Sequence, residues 1–453
     1  MKRTKYIVSI FLIVLFCGCE DWFDVQPQNE LSSDDLYATS SGYKMQLNGV
    51  YLTLSSSTLY AKELSWGFID VLGQYYERSK LTSEYMDVND RNYGVSTVKS
   101  HISAIWSKMY HAVADVNNLI EHITKVDDSF FENGKEDRDL IYGEALALRA
   151  FIHFDLLRMF APAPVAKESG KWIPYVTSSE SVTNVPLTVN EVIEKVIADF
   201  KQAEELLAPI DSANMENDNW RFDDSQGIPL FYQRRRVRMN SHGVMALMAR
   251  VYMYAGMKKE AYDCAHAVLG DEPDEYGGIP WDTKYGFTDE WELMEEMTNR
   301  DTKLHSDVIM GFANEKCADY YEPYMTYVSP LALRNLDALF DGKDETNDFR
   351  YKYLVTDVEG GVEVSIKNIR GKLNSRGSQI AKFLIPLIRH SELAYIMCEY
   401  WCEDAATFDK AVTLLNALKE ARGEYRGVTA TDTGDFMKQL LNDARRELSL
   451  IHI

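Results

Sequence analysis

The stretch from Asn240 to Leu269 constrains the fold of this chain more than any other. Val244, Leu247, Met248, Val251, Tyr252 and Ala255 recur at i, i+3, i+4, i+7, i+8 and i+11, which is one face of an α-helix. Asn240 or Ser241 is placed to cap its start, and Ala255-Gly256 to break it. A second apolar set follows at Ala261, Cys264, Ala265, Val268 and Leu269. Small residues at Ala246, Ala249, Ala261 and Ala265 let two antiparallel helices approach closely. Such a hairpin cannot bury its apolar face alone and calls for neighbours of its own kind. The same pattern serves an ordinary αα-hairpin in another helical fold, and these residues leave both open.

The 453 residues suffice for one large domain or two to three small ones. With 46% apolar and 26% charged residues and a formal net charge of −22, the composition is that of an acidic globular body. That charge argues against nucleic acid, whose phosphates need a concentrated basic surface. Arg234, Arg235, Arg236 and Arg238 form one local basic run with no second patch beside it, which reads as a solvated approach to a helix. Of the cysteines, Cys264, Cys317, Cys398 and Cys402 show neither a disulfide framework nor zinc spacing. Cys398 and Cys402 lie one helical turn apart and are expected to be packed rather than bonded.

Lys2, Arg3 and Lys5 precede an apolar run from Tyr6 to Phe16, too short to span a bilayer and shaped like a secretory signal. It ends in Phe16-Cys17-Gly18-Cys19, where a small residue before a cysteine resembles a bacterial lipobox. Residues 1–18 are then a lipoprotein signal peptide, and Cys19 is the lipidated residue. Several acyl chains, at about 0.8 kcal/mol per buried methylene, hold a protein to a membrane without a spanning helix. A plain signal peptide with a coincidental cysteine is the alternative.

Further along, Tyr43, Leu47, Val50, Tyr51 and Leu54 carry an amphipathic helix, with Ser32, Ser33 or Asp34 able to cap a short one before it. Trp66 to Thr97 has weak periodicity and reads as a long loop excursion, the kind of segment that often carries function. Its Asp87-Val88-Asn89-Asp90 lacks the alternating ligands and central glycine of an EF-hand loop. His101 to Ile123 returns to a helical stripe that includes Trp106. Gly143 to Phe160 is apolar nearly all round, a helix buried between others, so Arg149, His153, Asp155 and Arg158 need partners inside the body. A helix follows over Val192 to Leu207. Ala208 to Arg238 and Gly270 to Pro330 read as irregular, apart from a short strand over Asp307 to Ala313. Tyr351–Thr356 and Val362–Ile366 can form a small β-hairpin through Gly360-Gly361, and helices resume at Ile385.

These pieces together resemble the SusD/RagB family. The resemblance is carried by Cys19, Phe23-Asp24, Pro27, Asp34-Asp35 and Asn48-Gly49-Val50-Tyr51, then by the helix GEALALRAFIHFDLLRMF with Pro162 and Pro164 after it. Pro186-Leu187-Thr188 with the helix behind it, Asn347-Asp348-Phe349-Arg350, and Ala411 to Gly423 extend the resemblance to about Glu447. It implies an all-α, tetratricopeptide-like helical-repeat scaffold with long loop excursions and a small β-hairpin insertion. It further implies one SusD-like domain over 19–447, its N-terminal part about 19–210 and its C-terminal part about 240–447. Arg445-Arg446-Glu447 resembles the start of the family's final helix, after which the chain ends in LSLIHI. Residues 448–453 look like a non-native tail on a truncated reading frame, a genuine short terminus being the alternative.

No H-E-x-x-H, P-loop, dinucleotide turn or G-x-S-x-G elbow appears, so the sequence supports no enzyme, cofactor or metal site. The 70 acidic residues make chance carboxylate pairs inevitable, and none stands in an evidently buried, paired context. The resemblance implies an outer-membrane lipoprotein at the cell surface. It would capture an oligosaccharide and deliver it to a SusC-like TonB-dependent transporter, without bond chemistry of its own. Alternatives are a peptide-capturing RagB-like lipoprotein, a lipid-anchored scaffold without a small ligand, and a helical glycoside hydrolase. Sugar rings present apolar faces ringed by hydroxyls, which suit tyrosine and tryptophan platforms among polar side chains. The candidates in the two irregular excursions are Tyr75, Tyr76, Tyr85, Tyr93, Trp281, Tyr285 and Trp291.

Overall fold

Helical spacing of apolar residues translates into a succession of helices, each packed on the next. A computed structural model describes residues 33–180, 183–216, 229–270, 286–294, 300–326, 328–370 and 382–448. The signal segment with Cys19, the expected sites Trp281 and Tyr285, and the final residues 449–453 lie outside the described residues. The long helices are α1 (Ser40–Leu54), α2 (Ser96–Ile123), α3 (Lys135–Phe160), α4 (Val189–Glu216), α5 (Ser241–Tyr254), α6 (Lys258–Leu269), α7 (His390–Trp401), α8 (Phe408–Glu420) and α9 (Thr433–Leu448). Helix α1 packs on α2, α2 on α3, α3 most extensively on α4, and so on through α5, α6, α7 and α8, with α9 closing on α7. This is the neighbour-on-neighbour stacking that a hairpin unable to bury its own face requires. The fold is all-α in character, with two small two-stranded sheets among the described residues.

The α5–α6 hairpin is built as its sequence demands. Asn240 caps α5 by accepting from the Gly243 amide at 2.8 Å. Gly256, at φ +75°, turns the chain in the left-handed region that suits glycine after a helix end. Ala246, Ala249, Ala261 and Ala265 are fully buried, so the two backbones come close.

Helix α3 is buried on almost every side, and its polar residues are satisfied internally. Arg149 forks onto Asp199 of α4 at 2.6 and 2.8 Å. His153 faces the Arg149 carbonyl through Nδ1 at 2.8 Å and accepts from the Val176 amide through Nε2 at 2.9 Å. Asp155 accepts from the Tyr60 hydroxyl at 2.5 Å and pairs with Arg158.

Three expectations are corrected. The basic run before α5 is not solvated: Arg235 is fully buried and Arg236 nearly so. Arg235 donates to Asp211 of α4 at 2.7 Å and to Glu144 of α3, and Arg236 donates to the Val308 and Ser306 carbonyls, the latter at 2.9 Å. Arg238 reaches Glu144 at 3.0 Å and Asn48 of α1 at 2.8 Å, its guanidinium 4.7 Å from the Tyr51 ring. The run ties α1, α3, α4 and the central strand together. Burial pushes the Glu144 carboxyl up, but Arg238 and Arg235 outweigh it and hold the group below its ordinary value.

The second correction concerns Ile385. The chain there is a strand, Leu384–Arg389, before α7 begins at His390. Strand β1 (Val308–Ala313) pairs antiparallel with it, Ala313 opposite Leu384 and Val308 opposite Arg389. Pro386 disfavours a helix at the residue before it and has no N–H to donate, which a strand with a single partner tolerates. The small hairpin pairs β2 (Val355–Asp357) with β3 (Glu363–Ser365), and Leu384–Arg389 is accordingly β4. Phe349–Lys352, partly assigned to that hairpin from sequence, is a helical turn.

Third, Arg446 and Glu447 stand at the end of α9 and not at a helix start. There Arg350 donates to Asp443 at 2.7 Å and to Glu447 at 3.2 Å, and Arg422 donates to Glu447 at 3.0 Å, all buried. Among the described residues no helix is long and apolar enough to cross a membrane.

Candidate functional site

The segment Trp66–Thr97 is less irregular than its sequence indicates. Short helices at Phe68–Leu72 and Ser83–Asn89 interrupt it, and α2 already starts at Ser96. Helices of five and seven residues are too short to display a periodicity. The second of them contributes Glu84 to an open groove of about 740 Å³, which runs between the chain after α1, the first turns of α2 and the segment Asp319–Tyr324. Ser57, Thr58, Ser96, Thr97 and Ser100 bring hydroxyls to it, Tyr320 and Tyr324 bring rings, and Lys62, Glu63, Glu84, His101 and Asp319 bring charge or proton-bearing nitrogen.

The floor is a fixed polar and aromatic set. Glu63 is buried; its carboxylate accepts from the Phe68 amide at 3.0 Å and from the Tyr85 hydroxyl at 3.3 Å, and pairs with Lys62 at 3.1 Å. The Lys62 ammonium lies 5.5 Å from the Tyr85 ring centre and 5.6 Å from that of Tyr324. Burial pushes the Lys62 amine down, but Glu63 outweighs it and the net shift is upward, so Lys62 stays charged. Burial, with the Glu63 charge beside it, pushes the Tyr85 phenol far above its ordinary value and keeps it a donor. Tyr324 is backed by Tyr85 at 6.1 Å and by Trp66, edge-on, at 5.5 Å. Its neighbour Tyr321 is sunk in the body, where it donates to the Ser365 carbonyl at 2.7 Å. His101 has Nδ1 4.0 Å from Glu63 and Nε2 on Glu84. Glu84 is half exposed, and Asp319 at the rim pairs with Arg370. Hydroxyls, carboxylates and tyrosine rings on one concave face can hydrogen-bond and stack a polyol.

Of the residues expected to contact ligand, none that the structure describes lines this groove. Tyr76 and Tyr85 are buried: Tyr76 donates to the Trp66 carbonyl at 2.9 Å, and Tyr85 lies beneath Tyr324 as support. Tyr75 is half-buried beside a cavity of about 40 Å³ together with Leu333, Phe340 and Arg446. Tyr93 and Trp291 are exposed away from the groove lining, the Trp291 indole donating to Asp289 at 3.0 Å. Sequence reasoning missed Tyr320 and Tyr324, although they stand in the second aromatic-rich stretch it had marked. It also missed Glu63, Glu84 and His101, which carry no signal beyond being polar.

The acidic run Asp87–Asp90 is engaged internally: Asp90 accepts from Arg78 at 2.7 Å, and Asp87 from Asn92 at 3.3 Å. Among the described residues no group of three or more His, Cys, Asp or Glu is arranged to hold a metal ion. Cys398 and Cys402 are buried and free.

Residues 21–219 match the model of a SusD-like family described as starch-binding and associating with the outer membrane. Over that stretch the chain is similar to this family. Two SusD-like proteins of Formosa agariphila are 24% and 21% identical to this chain over 216 and 215 residues, 47% and 46% of its length. The matched stretch spans 40% and 39% of those relatives' own lengths. Solved structures share the fold across nearly the whole chain. A SusD-like carbohydrate binding protein from Bacteroides vulgatus aligns at TM-score 0.62 and 20% identity, over 90% of this chain and 81% of its own. A SusD superfamily protein from Bacteroides thetaiotaomicron aligns at 0.63 and 19%, over 91% and 87%.

Proposed function

We propose that this protein captures an oligosaccharide at the cell surface and delivers it to a SusC-like TonB-dependent transporter of the outer membrane. In this reading one domain, 19–447, is held to the membrane by lipid on Cys19, and the stacked helices carry a groove that grips sugar without bond chemistry. The observation that supports it most is the groove itself, with the Tyr320 and Tyr324 rings beside five hydroxyl side chains and the fixed Glu63 carboxylate. Sugar binding at such a face draws on stacking and on desolvation of a few aromatic rings. The name and family description of its relatives, carbohydrate binding and outer-membrane association, point the same way.

Protein lacking residues 1–19 is run through gels containing polysaccharides and incubated with the same glycans. Retardation without new reducing ends is expected, and Tyr324→Ala weakens it about tenfold, the loss of one well-backed ring. Retardation by peptides alone favours the peptide-capturing alternative, and new reducing ends overturn the reading. In cells, Cys19→Ser is expected to release the protein from the outer-membrane fraction and to end its co-purification with the transporter.

A further inference from the structure

We infer that Glu63, Glu84 and Asp319 make the groove selective against anionic glycans, so that its ligand is an uncharged sugar and not a uronate or sulfated one. The inference rests on the capture reading and concerns which sugars it admits. Sites that hold carboxylate or sulfate groups use arginine forks or free ammonium groups. Among the described residues no arginine lines this groove, and three carboxylates face a single lysine. That lysine is engaged: Lys62 sits 3.1 Å from Glu63 and over two rings. His101 is occupied on both sides, by Glu63 at 4.0 Å and by Glu84. Arg370 stands outside the lining and pairs with Asp319.

One feature favours anions. The first turn of α2, with Ser96 and Thr97, borders the groove and points the positive end of its dipole there. An exposed helix start attracts an anion only weakly and through one turn, whereas three carboxylates on the same concave face repel it together. The carboxylates win. Uncharged sugars meet no such barrier, because their hydroxyls donate to the same oxygens.

The test compares neutral gels (pullulan, galactomannan, xylan) with polygalacturonate and alginate gels. It is run in about 0.5 M sodium chloride, where a Debye length of a few ångströms removes the general field of a chain at −22. Retardation by a neutral polymer, with anionic ones at least about tenfold weaker, is expected. In the double variant Glu84→Gln/Asp319→Asn, which keeps buried Glu63 in place and releases Arg370, the gap narrows to below about threefold. Anionic polymers retarding the wild type as strongly as neutral ones overturn the inference and leave capture standing. A gap unchanged in the double variant overturns the assignment to these carboxylates. Retardation by no polymer overturns capture itself, and the inference falls with it.

Discussion

His153 shows how a single buried side chain makes this fold sensitive to acid. Its ring is fully buried, stacked on Tyr175 at 4.0 Å, with Nε2 accepting from the Val176 amide. Only the neutral ring can accept there, and burial holds its pKa down to about 4 from 6.5. The unfolded chain therefore binds more protons than the folded one between those values. Stability is intact above about 6.5 and is lost as pH falls toward 4, by roughly 3 kcal/mol from this group. His153→Gln, which can still accept from Val176 and donate to the Arg149 carbonyl, should flatten the decline in melting temperature over that range. His390, lowered to about 4 by burial as well, keeps part of the slope. Arg235 works by charge. Removing it leaves Glu144 and Asp211 buried without their shared partner, so Arg235→Ala should cost about 3–5 kcal/mol in urea unfolding. Lysine should restore little of this, because it cannot reproduce the fork.

At the scale of elements, α9 is held by buried ion pairs as well as by its apolar stripe. Burial pushes the Glu447 carboxyl up, but Arg422 and Arg350 outweigh it and hold it far below its ordinary value. Glu447→Ala should destabilise the protein by about 3–5 kcal/mol and raise exchange of the α9 amides before those of α3, read by hydrogen–deuterium exchange. Elements differed in how legible they were. The α5–α6 hairpin, α3 and β1 could be read because each is long or bounded by a clear cap or break. The stretch at Ile385 misled because a short apolar run fits strand and helix alike, and Pro386 alone tipped the balance. The arginines before α5 misled for another reason: their partners Asp211, Glu144 and the Val308 carbonyl are remote in sequence, and charge in a linear string does not reveal burial. The groove was half visible. Aromatic-rich irregular segments pointed to the right neighbourhood, but which ring faces out depends on helices too short to leave a period.

For the whole molecule, successive helix packing and the arginine bolt from α4 to β1 join the two parts proposed as one domain. Calorimetry should therefore show one unfolding transition, and two resolved transitions would divide the chain near residue 230. Glu63, Lys62, Tyr85 and Tyr324 hold one another in place before anything enters. Loss of torsional freedom on capture then falls on the guest and hardly on the host. Stiff, short oligomers should keep more binding free energy per ring than long supple ones, a trend that titration calorimetry across a length series would expose as an entropy term growing with chain length.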